Sequence, residues 1–279
     1  MSLATARSLL FAPGHEERKL QKALAAGADA MVADLEDAVP AAQKGAAREI
    51  AVRVLESTAT RSLVCVRVNA VGTAQWEDDL AVASRLELAA LVLPKATPEA
   101  AAALGADGPP VVAIVETALG LRQAYETACQ PRVAALVLGA IDLGAELGLE
   151  ARADGQEVLY ARSQLVVDSA AAGIRSPFDL VHVDIRDDAG LEAEASLARS
   201  LGFRGKACIH PAQVEIVNRV FSPTKEEQER ARRVVAAYER ALADGRGAVA
   251  LDGEMIDLPV VERAKRVLAE TERSVPNDD

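Results

Sequence analysis

Apolar residues along this chain fall into short, near-continuous runs separated by stretches with helical periodicity. The runs are Ser8–Pro13, Ala30–Asp37, Ser62–Asn69, Leu88–Lys95, Val111–Thr117, Val133–Asp142, Phe178–Asp184 and Gly205–Pro211. Such runs, without polar alternation, mark strands buried on both faces, as in a parallel sheet covered by helices. Between them Glu16–Ala26, Ala41–Glu56, Glu157–Ala172 and Asp188–Leu201 read as helices. Gly27, Gly173 and Gly202 follow three of these, where glycine closes a last turn. This strand–helix alternation predicts an α/β fold, a (β/α)8 TIM barrel. A doubly wound open sheet is the alternative. It usually carries a GxGxxG loop after its first strand, whereas the first run here leads into Pro13-Gly14-His15-Glu16.

One connection is long: the Gly- and charge-rich segment between Asp142 and Glu157 reads as an active-site loop. After the last strand the pattern changes. Residues 1–221 are expected to form the barrel. Residues 222–279 form a C-terminal helical extension, either part of the same domain or exchanged with a neighbouring subunit. The extension holds helices at Pro223–Ala243 and Val260–Glu272, a glycine-containing stretch between them, and a frayed end at Pro276–Asp279.

Composition narrows the function. The length of 279 residues is that of one barrel. With 42 acidic against 31 basic residues the net charge is −11, which disfavours a nucleic-acid binder. Aromatic residues make up only 3%, so the core rests on Ala, Val, Leu and Ile. Cys65, Cys129 and Cys208 are too scattered for a disulfide framework and read as small buried hydrophobes. No run approaches the length of a membrane span and no signal peptide is evident, so a soluble cytoplasmic protein is expected.

Polar residues crowd the C-terminal ends of the strands: Asp34, Glu36 and Asp37, then Arg67 and Asn69, Lys95, Glu116, Asp142, His182 and Asp184, Lys206 and His210. In a barrel these ends meet at one mouth. Glu116 and Asp142, at adjacent strand ends with no His or Cys nearby, make a hard oxygen site that suits Mg2+ or Mn2+. Alternatively they share a proton or pair with Lys95 and Arg67. Arg67 and Arg7 are candidate clamps for a substrate carboxylate, because guanidinium is planar and permanently charged. Glu36 or Asp37 is the alternative partner for Arg67. Lys95, after Pro94, is a further candidate for binding substrate, with a surface position as its alternative.

In this order the segments RSLLFAPG (Arg7–Gly14), DLEDAV (Asp34–Val39), RVN (Arg67–Asn69), LPK (Leu93–Lys95), VETALG (Val115–Gly120), GAIDL (Gly139–Leu143), KACIHPAQ (Lys206–Gln213) and DGEMIDLP (Asp252–Pro259) resemble the citrate lyase β-subunit-like branch of the HpcH/HpaI aldolase and citrate lyase family. The resemblance implies a Mg2+-dependent TIM barrel that cleaves or forms a carbon–carbon bond. Its substrates would be 3-hydroxy-acyl thioesters of CoA or acyl-carrier protein, and a 2-oxo acid (oxaloacetate, pyruvate or glyoxylate) would be a product. It implies Glu116 and Asp142 as metal ligands and Arg67 as the carboxylate binder, with Glu36 and Asp37 holding metal-bound water. It also implies a homotrimer in which Asp257, in Met255-Ile256-Asp257, is lent to a neighbour as acid/base. Glu36 is the alternative acid/base, and a Schiff base on Lys95 the alternative chemistry. Three functions stay open: a stand-alone CoA-thioester lyase of malyl, citramalyl or methylmalyl type or a malate-synthase-like enzyme, a citryl-carrier lyase subunit with alpha and gamma partners, and a non-catalytic binding or assembly subunit.

Overall fold

The computed structural model describes residues 2–152 and 154–274; the expected frayed end Pro276–Asp279 lies outside them. The chain divides into two compact units, one ending at Phe221 and one beginning at Ser222.

In the first unit β1 (Ser8–Pro13), β2 (Ala30–Asp34), β3 (Leu63–Arg67), β4 (Ala90–Leu93), β5 (Val111–Val115), β6 (Val133–Leu138) and β7 (Lys206–Cys208) form one parallel sheet in the order β6-β5-β4-β3-β2-β1-β7. The ring closes through two residues between its outer strands. Phe178 bridges to Val137 of β6, and Asp179 bridges to Lys206 of β7. The eighth strand expected over Phe178–Asp184 is therefore reduced to its first two residues. Beyond Asp179 the chain leaves the ladder, and the carbonyl of His182 accepts from Nε2 of Gln213 at 2.8 Å instead.

Each strand alternates between two cores. Leu9, Val32, Cys65, Val92, Val112, Val137, Phe178 and Ala207 fill the barrel interior, while Met31, Val66, Leu91, Leu136 and Cys208 face the surrounding helices. A period of two then decides what reaches the mouth. Counting on from the interior residues leads to Phe11, to Asp34 and Glu36, to Arg67, to Ile114 and Glu116, to Gly139, and to Ile209. The same parity sends Lys206 outward with Cys208. There its ammonium, opening β7 and fully buried, lies 2.9 Å from Asp179 and 3.0 Å from Glu194. Asp179 also holds the buried Arg162 at 2.9 and 3.1 Å. These charges brace the closing seam, so Lys206 is a wall residue and not part of the mouth.

The helices fall close to expectation, with Asp188–Leu201 matching fully and Gly27, Gly173 and Gly202 all at positive φ. The long connection differs. Its first part is the helix Ala140–Leu147, ended by Gly148 in left-handed geometry. Cys129 is exposed, unlike the buried Cys65 and Cys208. No helix among the described residues is long and apolar enough to cross a membrane.

The second unit opens with the helix Lys225–Ala243, started by a capping box between Thr224 and Glu227. It continues through an antiparallel hairpin, β8 (Val249–Leu251) and β9 (Glu254–Ile256), and ends in the helix Leu258–Ser274. The hairpin turns on Asp252 and Gly253, both at positive φ. Ala231, Val234, Tyr238, Ile256, Val261 and Ala264 form its own small core.

Candidate active site at the barrel mouth

A cavity of about 310 Å3 opens at the C-terminal ends of the strands, lined among others by Asp34, Asp37, Arg67, Glu116 and Asp142. Asp34 and Arg67 are direct register partners on β2 and β3. The Arg67 fork closes on Asp34, with Nε to Oδ1 at 2.7 Å and Nη2 to Oδ2 at 2.6 Å. Asp34 also accepts from the backbone N–H groups of Glu36 (2.8 Å) and Ala38 (3.1 Å), so the pair anchors the loop that presents Glu36 and Asp37. Burial alone would lower the Arg67 pKa. The hydrogen bonds that Arg67 donates to Asp34 and the charges of Asp34, Glu36 and Asp37 more than offset it, and the value rises. Asp34 is the partner that sequence reasoning does not single out. Its signal is parity: Asp34 and Arg67 both occupy the inward-facing last position of adjacent strands.

Glu36 is buried and lies between two cations, with Oε1 2.8 Å from the Lys95 ammonium and Oε2 3.0 Å from Nη1 of Arg67. The Arg67 contact is an ion pair without hydrogen-bond alignment, which leaves Oε2 an unsatisfied buried oxygen. Burial raises the Glu36 pKa, and Arg67 and Lys95 offset only part of that. Asp37 is exposed, 4.0 Å from Arg67. From behind the loop, the Lys44 ammonium binds the carbonyls of Leu35 and Glu36 and Oδ1 of Asn69, each at 2.7 Å.

Glu116 follows β5, buried to 2% exposure. Its Oε1 accepts from the backbone N–H of Lys95 at 2.7 Å. Burial, with the charges of Glu36 and Asp142, pushes its carboxyl up to about 7 against the pull of the Lys95 N–H and Arg67. Gly139 makes this position possible. A Cβ there would overlap Cβ of Glu116 and lie 2.8 Å from its Oε2. Asp142 is not at a strand end. Strand β6 stops at Leu138, and Asp142 sits exposed in the first turn of the helix Ala140–Leu147, from which it lines the same cavity.

Arg7 is not in the site. It precedes β1, at the end of the barrel opposite the mouth, where its fork is spent on Asp29 at 2.8 and 2.9 Å. A residue before a parallel strand lies at the bottom of the barrel, and only one after it reaches the mouth. Asp257 belongs to the second unit. There its Oδ1 makes a long contact of 3.4 Å with the N–H of Val260 at the start of the last helix.

The donor set fits a hard divalent cation. Glu116 is a buried carboxylate whose ionised form lacks a full positive partner, Asp142 faces the same cavity, and no nitrogen or sulfur ligand accompanies them. No group of three potential ligands occurs among the described residues. Two protein carboxylates with the remaining positions left to water and substrate oxygens is the arrangement Mg2+ takes.

Residues 7–211 match the HpcH/HpaI aldolase/citrate lyase family. A citrate lyase subunit beta-like protein of Deinococcus radiodurans is 38% identical over 278 residues, covering 95% of this chain and 97% of that protein. A (3S)-malyl-CoA thioesterase of Cereibacter sphaeroides is 37% identical over 270 residues, covering 95% and 94%. The crystal structure of CitE from Mycobacterium tuberculosis in complex with magnesium, acetoacetate and coenzyme A superposes with a TM-score of 0.84 at 36% identity, over 97% of this chain and 100% of that one. On the extent of these matches, and on a barrel whose mouth gathers the acidic and basic residues of the shared motifs, the chain belongs to the HpcH/HpaI aldolase/citrate lyase family.

Proposed function

We propose that this chain is a Mg2+-dependent carbon–carbon lyase acting on a 3-hydroxy-acyl thioester of CoA or acyl-carrier protein, releasing a 2-oxo acid and an acyl thioester. One observation carries the reading. The carboxylates Glu116 and Asp142 line the same cavity as the guanidinium of Arg67, so a cation and a substrate carboxylate can be held side by side. Both the CitE structure with magnesium and coenzyme A and the relatives of citrate-lyase type support it.

Glu116 and Asp142 would hold the metal. A Mg2+ ion held there would supply Lewis acidity to the oxygens of a 2-hydroxy carboxylate and ease loss of the hydroxyl proton. Asp34 occupies two of the five N–H groups of Arg67, which leaves donors on Nη1 and Nη2 for the substrate carboxylate. Glu36, whose Oε2 is buried without a hydrogen-bond donor, is our assignment for the group that takes the hydroxyl proton. The bond between the carbinol carbon and the carbon next to the thioester then breaks, and that carbon needs a proton. Asp257, offered by a neighbouring copy in a homotrimer, is our first assignment for its donor, and Glu36 the second. Lys95 and Asp37 position Glu36 and the water around the site.

The thioesterase relative favours a second reading, hydrolysis of the thioester by the same protein. One experiment separates the two. Purified protein with Mg2+ and malyl-CoA or citramalyl-CoA should yield a 2-oxo acid and acetyl-CoA, without transferase or carrier subunits. A thioesterase gives free CoA thiol and the intact hydroxy acid. Activity only on adding alpha and gamma citrate lyase subunits would assign the carrier-bound role, and no turnover of any thioester would leave the non-catalytic one.

A further inference from the structure

Strands β2 and β3 part just before Glu36, and side chains cause it. In a parallel ladder a residue donates to one neighbour and accepts from the residue two further along the same partner strand. Leu35 keeps the first bond, its N–H reaching the carbonyl of Arg67 at 2.9 Å. The second would come from the N–H of Asn69, but that group turns to Oδ2 of Asp79 at 2.8 Å. Asp79 is fully buried in the helix Trp76–Ala83 and is held in turn by Nε of Arg48 at 2.6 Å. The ladder ends there, and the chain leaves the sheet to present Glu36.

Side-chain donors replace the lost bond. The carbonyl of Leu35 accepts from Nδ2 of Asn69 at 2.9 Å and from the Lys44 ammonium at 2.7 Å. The carbonyl of Glu36 accepts from the N–H of Val39 at 2.9 Å, which closes a turn, and again from Lys44 at 2.7 Å. The third Lys44 proton goes to Oδ1 of Asn69, so three donors meet three oxygens, none of them a carboxylate. Lys44 opens the helix Lys44–Ser57, and Arg48 follows one turn later on the same face. That face grips both the Glu36 loop and the carboxylate that parts the strands. On the cavity side the N–H of Glu36 donates to Oδ1 of Asp34. Glu36 is thus pinned at both of its peptide groups, while its carboxylate stands between Arg67 and Lys95.

Resting on the reading of Glu36 as the group that takes the hydroxyl proton, we propose that Lys44 is a positioning residue of the site. Its ammonium holds the carbonyls of Leu35 and Glu36 from behind the loop, with Asn69 linking it to Asp79 and Arg48, and so sets where the Glu36 carboxylate stands. Lys44 touches no substrate in this role and acts only through Glu36.

Lys44→Met removes the ammonium and keeps an apolar stem. Two measurements on the full chain test the role. Amide hydrogen exchange should run at least about tenfold faster over residues 35–39 of the variant, with β4 and β5 unchanged. Unchanged exchange over 35–39 overturns the pinning. In turnover of a thioester with Mg2+, Lys44→Met should lower kcat at least about tenfold and move KM less than about twofold. Glu36→Gln alone should lose about a hundredfold or more, and adding Lys44→Met to it should cost less than about twofold, because its target is already gone. Losses that multiply across the two sites, as a merely structural role would give, overturn action through Glu36. If Lys44→Met does not fold, Lys44→Gln, shorter but still a donor, takes its place in both measurements. A wild type that cleaves no thioester removes the lyase reading alone, and the exchange rates then uphold or overturn the pinning by themselves.

Discussion

The backbone N–H of Lys95 donates to Oε1 of Glu116 at 2.7 Å, and it does so from left-handed geometry, at φ 48°. The same residue sends its ammonium to Glu36, so one strained position ties two carboxylates of the site together.

Replacing Lys95 separates the two roles. Lys95→Gly and Lys95→Met both lose the ammonium, but only glycine adopts positive φ without cost. The glycine variant should be more stable than the methionine variant by about 1 kcal/mol in urea unfolding. Equal midpoints and slopes would show that the backbone there carries no strain.

Glu116 sets a pH dependence. Its carboxyl is raised from 4.5 to about 7 in the folded chain. Without metal, its contribution to stability is complete below pH 4.5 and lost as pH rises through about 7, because the unfolded chain ionises first. The metal-free melting temperature should therefore decline between pH 5 and 8 more in wild type than in Glu116→Gln. A Mg2+ ion bound through Glu116 would have to displace that proton, so its affinity should fall about tenfold per pH unit below the carboxyl's titration. Glu116→Gln should abolish tight Mg2+ binding and its pH slope together. A variant that binds Mg2+ like wild type removes Glu116 from the metal site.

Arg67→Lys keeps charge but cannot grip Asp34 with a fork. Asp34 is 1% exposed and anchors the Glu36 loop, so the substitution should cost about 1–3 kcal/mol of stability. It should also weaken pyruvate binding, measured calorimetrically with Mg2+. Wild-type stability and affinity together would mean that neither carboxylate is read by the guanidinium.

Asp257 is tested by mixing. Asp257→Asn and Glu116→Gln proteins should each be inactive. If Asp257 serves a neighbour's barrel, subunit exchange should restore part of the activity, since a mixed trimer pairs an intact mouth with an intact second unit. No recovery after demonstrated exchange returns the proton to Glu36.

The barrel is legible in the sequence because its strands, buried on both faces, leave continuous apolar runs that nothing else in the chain imitates. What escapes is geometry finer than a run. Asp142 lies beyond Gly139, where the chain turns at once into a helix, whereas apolarity alone extends the strand. Arg7 and Lys206 share the polarity of mouth residues but start their strands instead of ending them. The hairpin at Val249–Ile256 is marked by Asp252-Gly253 between alternating residues, a turn signal easily lost in a stretch with several other glycines. Asp34 is visible as one carboxylate among three, and only the strand register distinguishes it from Glu36 and Asp37 as the one that Arg67 grips.

A ring joined through Phe178 and Asp179 alone is a hoop with a clasp, closed by backbone bridges and backed by buried ions. Burial works against the charged form of Asp179, yet Lys206 and Arg162 hold its pKa below the ordinary 3.8. Its support is thus present at neutral pH and is surrendered only as acidity passes that depressed value. The mouth gives up its charge much earlier, at Glu116. The two titrations lie far apart: in mild acid Glu116 takes a proton, which would cost a cation held there its ligand, while Asp179 keeps its charge and the hoop stays fastened.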